Sequence, residues 1–334
     1  MGDLETLNGL YKDKVNSAAR SSTAVLESGR PGDPPGPDLD RLDCSALITL
    51  VRGNGSNGSR SSNSTAAAGA AVTDILAGHA TWRSYYAMLR VYKVYEFAFL
   101  PARVVSLSSS PGLLHSKDDF YATPTLVVME TTNGIYDKTL YNPNTIKPET
   151  ALSWQRAAVA TGFALNGSDW VNLFKRHNSG TYNNQWMVLD TAHFVPGGEL
   201  PTAGLLWIAE QIPGKIESAD VTSVLVKQGY WPSYNIPYFK TIFKLSGYEK
   251  EVIARGASAT YEKAPRAEIF ARTATTADTL DKFKLLMRYN NFEARGNEQP
   301  PLATDNLLEN TDGCGSPLLL LTCALLMTSS HSEG

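Results

Sequence analysis

The strongest constraint on this chain is an abrupt change of text at Cys44. The 43 residues ahead of it are polar and close on GRPGDPPGPDLDRLD, whose prolines block regular ladders and favour extended, exposed backbone. The run that follows, CSALITLV, is apolar and rich in β-branched side chains, which suits a buried strand. A thiol therefore opens a strand directly behind a segment that a protease can reach. Cleavage between Asp43 and Cys44 would leave an α-amine on the residue that carries the thiol. Their reference pKa values, about 7.7–8.0 and 8.5, let the two exchange a proton near neutral pH, so one residue would supply both nucleophile and base. Taken alone, a strand cysteine is more simply read as packing, because free cysteine is among the most buried side chains.

Residues 53–70 form a Gly/Ser/Asn/Ala stretch, and a second apolar run, AVTDILAGH, follows it. The simplest local structure is two neighbouring strands joined by an inserted, solvated tip. Strands are expected at 124–132, 185–190 and 204–212. Helices are expected at 81–95, at 148–165 with Trp154, Ala157 and Ala158 on one face, and at 276–289. Strands and helices come in clusters rather than in βαβ alternation, which favours a layered α+β architecture. Three segments result: a propeptide-like polar linker at 1–43, a core at 44–292 and a divergent tail at 293–334.

The net charge of −3 comes from 30 basic and 33 acidic residues, and no long block of one sign points to nucleic acid or an anionic membrane surface. Three cysteines, Cys44, Cys314 and Cys323, lie too far apart for a zinc knuckle, and the odd number leaves at least one thiol outside any disulfide within the chain. The first residues lack the apolar stretch of a secretory signal. Four N-x-[ST] sequons, at Asn54, Asn57, Asn63 and Asn166, nonetheless fit a glycosylated protein, although low-complexity sequence also generates such triplets by chance. Gly2 and Thr6 match the myristoylation pattern weakly, with acidic Asp3 and Glu5 against it. The apolar run PLLLLTCALLM is too short to span a bilayer, which takes about 20 residues. It reads better as a buried strand than as a removed lipid-anchor signal, and no transmembrane span is expected.

Signatures of serine hydrolases, zincins, P-loops and dinucleotide folds are absent from the sequence, and neither a cofactor nor a metal is expected. What remains is CSALI, followed in order by GHATWRSYYAMLRVYK, SKDDFY, METT, FKRHNSGTYNNQWMVLD, EQIPG, WPSYNIP, APRAEIF and LMRYNNF. This succession closely resembles the phospholipase B-like family, the lamina ancestor group of the N-terminal nucleophile hydrolases, over roughly residues 44–292. The resemblance implies a four-layer αββα sandwich, a precursor that cuts itself before Cys44, and a lysosomal or secreted location. It also implies a longer N-terminal portion, much of which this chain lacks.

Carried over residue by residue, the resemblance makes Cys44 the nucleophile and gathers His79, Thr132, Asn235 and Arg266 around it. Asn235 can donate an amide N–H to an oxyanion, or serve as a turn residue ahead of Pro237. Arg266 offers a fork that can orient a carboxylate or phosphate, or a plain surface charge. His79 can bias the protonation of Cys44 or be a satisfied structural histidine. Thr132 offers a hydroxyl for an amine, a water or a strand edge. Tyr182, Asn183, Asn184 and Trp186 read either as pocket lining or as ordinary core. Two departures stand out: Asp43 occupies the position whose carbonyl must be attacked, where a small or neutral residue is expected, and Lys117 replaces a cysteine of some relatives.

The expected function is a self-processing hydrolase of acyl esters or amides, acting on phospholipids or N-acyl amides through a Cys44 thioester. The alternative is a catalytically silent, glycosylated binding scaffold with the same fold. Expected partners are a small-molecule or lipid acyl substrate, the missing N-terminal portion of the precursor and, as an option, a second copy in a homodimer.

Overall fold

The computed structural model describes residues 44–53, 70–82, 89–116, 119–289 and 320–323. Its strands are β1 (Cys44–Arg52), β2 (Val72–Trp82), β3 (Val91–Glu96), β4 (Val104–Ser109), β5 (Phe120–Ala122), β6 (Leu126–Thr132), β7 (Asn184–Asp190), β8 (Leu206–Ile212), β9 (Lys215–Asp220), β10 (Tyr230–Ser233) and β11 (Leu320–Cys323). The helices that frame them are α1 (Ser153–Phe163), α2 (Gly167–Phe174), α3 (Thr222–Gln228), α4 (Lys240–Leu245), α5 (Tyr248–Arg255), α6 (Pro265–Thr273) and α7 (Leu280–Met287). The described strands form two antiparallel sheets, ordered β10-β1-β2-β11 and β3-β4-β5-β6-β7-β8-β9.

The sheets stack face to face. Ala46, Ile48 and Leu50 of β1 with Ile75 and Ala77 of β2 pack on Phe120, Val127, Met129, Met187 and Ile208 of the larger sheet. On the far side of that sheet, Leu107, Val128, Trp186 and Val188 bury Ala157 and Ala160 of α1 and Trp170 and Phe174 of α2. On the far side of the smaller sheet, Leu47, Leu76 and Ala80 bury Phe270 of α6 and Phe283 and Leu286 of α7. This is the αββα sandwich that the resemblance implied. Each layer takes one face of a period-two strand, and β1 is apolar on both faces because both are covered.

Gly78 on β2 is what lets α7 close on the sheet. A Cβ there would lie 2.5 Å from Cε1 of Phe283, a fully buried ring. The β1–β2 pair closes neatly at its open end, where the Gly53 N–H donates to Ala71 O at 2.9 Å and Arg52 to Ala70 O at 2.8 Å. Residues 54–69, with Asn54, Asn57 and Asn63, lie outside the described residues, as does the 1–43 linker with Asp43. Of the tail, residues 320–323 pair with β2 as β11. Among the described residues no helix is long and apolar enough to cross a membrane.

Two sequence expectations are corrected. Residues 81–95 are not a helix: Thr81 and Trp82 end β2, and Val91–Glu96 form β3, whose exposure alternates residue by residue. Apolar residues at 91, 92, 94 and 95 fit a helical period as well as an extended one, and the β-branched and aromatic side chains decide for the strand. The helix expected at 148–165 is present as α1, but it buries Ser153, Arg156, Ala157 and Ala160. Ala158 faces solvent, and Trp154 stacks on His115 at 5.1 Å between centroids.

Candidate active site

Cys44 is the first residue of β1 and is buried, on the same face as Ala46 and Ile48, between the sheets. Register places Thr81 directly opposite Cys44, and His79 opposite Ala46. Cross-strand neighbours on one face lie close together, so His79 approaches the thiol diagonally. It is fully buried, and its Nδ1 lies 3.3 Å from the Thr81 hydroxyl, which fixes the ring.

Three atoms of Cys44 are held by three different elements. Its backbone nitrogen donates to Asn235 Oδ1 at 3.5 Å, its carbonyl accepts from Arg266 at 2.5 Å, and its Sγ lies 3.9 Å from Glu130 Oε1. Asn235 follows β10 with φ +70°, in the left-handed region that asparagine tolerates better than most residues. Its carbonyl accepts from the Tyr248 hydroxyl at 2.5 Å, which pins the unusual backbone. The amide orientation is set by its neighbours, since Oδ1 faces the N–H groups of Cys44 and Arg266 while Nδ2 donates to Thr132 O at 2.6 Å. One of the two Nδ2 hydrogens is thereby spent within the protein, and an oxyanion would take the other.

Arg266 sits in the first turn of α6, where Pro265 starts the helix. Its fork binds Cys44 O, Ser45 Oγ at 2.9 Å, Tyr234 O at 2.7 Å and Asn235 Oδ1 at 2.8 Å. It ties the start of β1 to the end of β10, and is not a plain surface charge. Thr132 ends β6. Its carbonyl meets Asn235, and its buried hydroxyl has no hydrogen-bond partner among the described residues. Opposite it in register stands Asn184, fully buried, with both amide atoms likewise unpartnered. The neighbouring Thr131 and Ser233 hydroxyls, 2.6 Å apart, stitch the two sheets together.

Of the aromatic and amide cluster, Trp186 is core. It lies on the helix-covered face, with ring centroids 5.4 Å from Trp170 and 5.1 Å from Phe174. Asn183 is spent on Gly180 O and Gln211 Nε2. Tyr182 does belong to the site, since its hydroxyl contacts both Asp119 and Glu130. Those two carboxylates, both buried, are the site residues that sequence reasoning missed. A glutamate interrupting the apolar strand LVVMETT was the available signal, since a buried carboxylate demands specific partners.

The Cys44 sulfur, a His79 nitrogen and a Glu130 oxygen lie within 4.8 Å of one another, the grouping among the described residues that could hold a metal ion. A direct S–H···O contact accounts for the sulfur–carboxylate approach. Asn166, the sequon inside the core, caps α2: its Oδ1 accepts from the Asp169 N–H at 2.8 Å while Nδ2 reaches Asp169 Oδ2 at 3.3 Å. A glycan on Nδ2 would disturb the second contact and leave the cap in place.

Comparison with known proteins identifies the family. The chain matches the family model described as Phospholipase B over residues 1–305. It is 48% identical over 232 residues to phospholipase B-like protein G of Dictyostelium discoideum, covering 66% of this chain and 38% of that protein. It is 40% identical over 304 residues to putative phospholipase B-like 2 of Bos taurus, covering 87% of this chain and 45% of that one. The chain thus spans less than half the length of these relatives. Among solved structures, the Caenorhabditis elegans ortholog of N-acylethanolamine-hydrolyzing acid amidase aligns with a TM-score of 0.44 at 9% identity, over 75% of this chain and 88% of that one. With the family model matched across most of its length, the chain belongs to the phospholipase B family.

Proposed function

We propose that this chain is the catalytic part of a self-processing hydrolase of acyl esters or amides, with Cys44 as an N-terminal nucleophile. The observation that carries the reading is that the nitrogen, carbonyl and sulfur of Cys44 are each held by a separate element in a buried site. A packing cysteine needs none of these contacts. Membership of the phospholipase B family adds support for a hydrolase.

In the precursor, the thiol attacks the Asp43 carbonyl, the acyl group moves from nitrogen to sulfur, and water hydrolyses the resulting thioester. In the processed enzyme, the freed α-amine hydrogen-bonds Asn235 Oδ1 and takes the thiol proton, its pKa lying close to that of the thiol. The thiolate adds to the substrate carbonyl, and the second Asn235 N–H stabilises the oxyanion, a kind of preorganised dipole that often contributes most to acyl transfer. The ammonium then protonates the leaving alkoxide or amine, and water releases the acyl group. Phospholipids and N-acyl amides are the proposed substrates. The four sequons support a glycosylated, lysosomal or secreted protein.

The test is a mass spectrum of the secreted full-length protein beside its Cys44→Ala variant. Wild type is expected to give a fragment beginning at Cys44, and the variant an uncut chain. A mature fragment beginning elsewhere, with hydrolase activity intact, would refute the reading.

A further inference from the structure

Self-cleavage poses a problem that the processed enzyme does not. Until the bond to Asp43 is broken, the Cys44 nitrogen is a peptide amide with no basic lone pair, so the α-amine cannot activate the thiol. Another group must take the first proton, and it must touch the sulfur.

We infer that Glu130 is that group, at the head of a proton wire running Cys44 Sγ, Glu130, Tyr182, Asp119. The inference rests on the self-processing reading. The wire is continuous: Sγ to Glu130 Oε1 is 3.9 Å, Glu130 Oε1 to the Tyr182 hydroxyl is 3.1 Å, and the same hydroxyl makes a short bond to Asp119 Oδ2. The far oxygen of Asp119 lies 3.5 Å from the Tyr121 hydroxyl, whose oxygen accepts the Ser116 N–H at 3.1 Å. Glu130, Asp119 and Tyr121 are all buried.

The wire carries the proton away from the sulfur. Tyr182 has one hydroxyl hydrogen and two carboxylates within reach. That hydrogen is assigned to Asp119, across the shorter of the two contacts, so that the Tyr182 oxygen accepts from a protonated Glu130. A chain of donors in this order shifts a proton by one step at each link. The S–H bond breaks and its proton goes to Glu130 Oε1, as the proton of Glu130 passes to the Tyr182 oxygen and that of Tyr182 to Asp119. Sulfur keeps the electron pair, so one negative charge moves from Asp119 to the thiolate. The thiolate then bonds the Asp43 carbonyl carbon and the C–N bond breaks. The departing Cys44 nitrogen takes the proton back, so none is gained or lost overall.

Two further features fit a purpose-built wire. Asp119 and Tyr182 both have positive φ, +45° and +52°, a strained conformation that non-glycine residues retain where the surroundings enforce it. They come from segments far apart in sequence, so their meeting at the Tyr182 hydroxyl is a product of the fold. His79 is the rival base, with a ring nitrogen within 4.8 Å of both the sulfur and a Glu130 oxygen and its Nδ1 3.3 Å from the Thr81 hydroxyl.

The experiment follows cleavage of freshly made full-length precursor over time by gel and mass spectrometry, for wild type, Glu130→Gln, Glu130→Asp and Tyr182→Phe. Melting curves are compared with the uncut Cys44→Ala precursor to confirm folding. Loss of a general base typically costs about 10²- to 10⁴-fold, so Glu130→Gln is expected to slow cleavage at least about 100-fold. Glu130→Asp should recover part of the rate, and Tyr182→Phe should fall between. Hydroxylamine, which cuts thioesters and spares peptide bonds, should hasten wild-type cleavage and leave Glu130→Gln uncut, because its block precedes the thioester. A folded Glu130→Gln precursor that cuts at the wild-type rate, or that hydroxylamine releases, would overturn the wire while leaving self-processing intact. If wild type itself is never cut before Cys44, the self-processing reading falls and the wire falls with it.

Discussion

Replacing Arg266 separates what the sequence suggested from what the fold shows. Its fork makes four hydrogen bonds, to Cys44 O, Ser45 Oγ, Tyr234 O and Asn235 Oδ1, at 2.5–2.9 Å. All four partner residues are no more than 4% exposed, so few of their acceptors can turn to water once the guanidinium is gone. At about 1 kcal/mol net for each bond, the loss is about 4 kcal/mol. Recovered rotamer freedom of a long side chain returns up to about 2 kcal/mol. Arg266→Ala should therefore destabilise the processed protein by about 2–4 kcal/mol, read from urea denaturation. Because the same bonds align Asn235 with Cys44, kcat should fall while KM changes little, the pattern of an interaction that matters in the transition state. Arg266→Lys should recover only part of either quantity, since an ammonium cannot reproduce the planar fork. A variant with unchanged stability and kcat but a raised KM would refute this reasoning and return Arg266 to the role of gripping a charged substrate.

Two other outcomes follow from the packing. Gly78→Ala pushes a Cβ to within 2.5 Å of the buried Phe283 ring and is expected to cost about 1–3 kcal/mol of stability; the double variant Gly78→Ala, Phe283→Leu should regain part of it, and additive losses by denaturation would show that the contact is not the cause. Burial pushes the Glu210 carboxyl up to about 7 against the bonds from Gln185, Tyr238 and Phe239. Below about pH 4.5 it is protonated in both folded and unfolded chains, and between 4.5 and 7 only the unfolded chain ionises, so stability should fall by about 3 kcal/mol across that window. Urea titrations at a series of pH values test this, and a Glu210→Gln protein with an equally steep slope would exclude it as the source.

Much of the scaffold was legible because its signals are local. The β1–β2 pair, β6, β7, β8 and α7 all follow from apolar runs bounded by polar or turn residues. The segment at 91–96 was not legible, because its spacing fits two periods and only sheet pairing with β4 decides between them. The buried face of α1 was missed for a related reason. It is chosen by where Trp170 and Phe174 lie, and small Ala157 and Ala160 make room for them. At the site, residue types were readable and partners were not. Arg266 displays five donors in any sequence, but that they close on β1 and β10 is a tertiary fact. Glu130 is joined to Asp119 through Tyr182, 52 residues further along the chain, and no motif spans that distance.

The position of the thiol depends on a register that hydrophobic patterning alone does not secure. A one-residue slip of a strand exchanges its two faces. In β1 that slip would carry Cys44 from between the sheets to the helix side. Alternation usually forbids such a slip, but β1 offers apolar side chains to both layers: Ala46, Ile48 and Leu50 to one, Leu47 and Val51 to the other. Burial would penalise the slipped strand only weakly, so polar anchors must hold the register. Two polar anchors and one irregularity of pairing are present along its length. The Arg266 fork holds Cys44 O and Ser45 Oγ at the start of the strand, and the Thr49 hydroxyl donates to Ala274 O at 3.0 Å in its middle. An irregularity between Val51 and Arg52 marks its end against β2. Both anchors reach to the α6 side of the sheet, so that layer does more than cover an apolar face. It fixes which face of β1 the nucleophile occupies, and through Asn235 it fixes the partner that nucleophile meets.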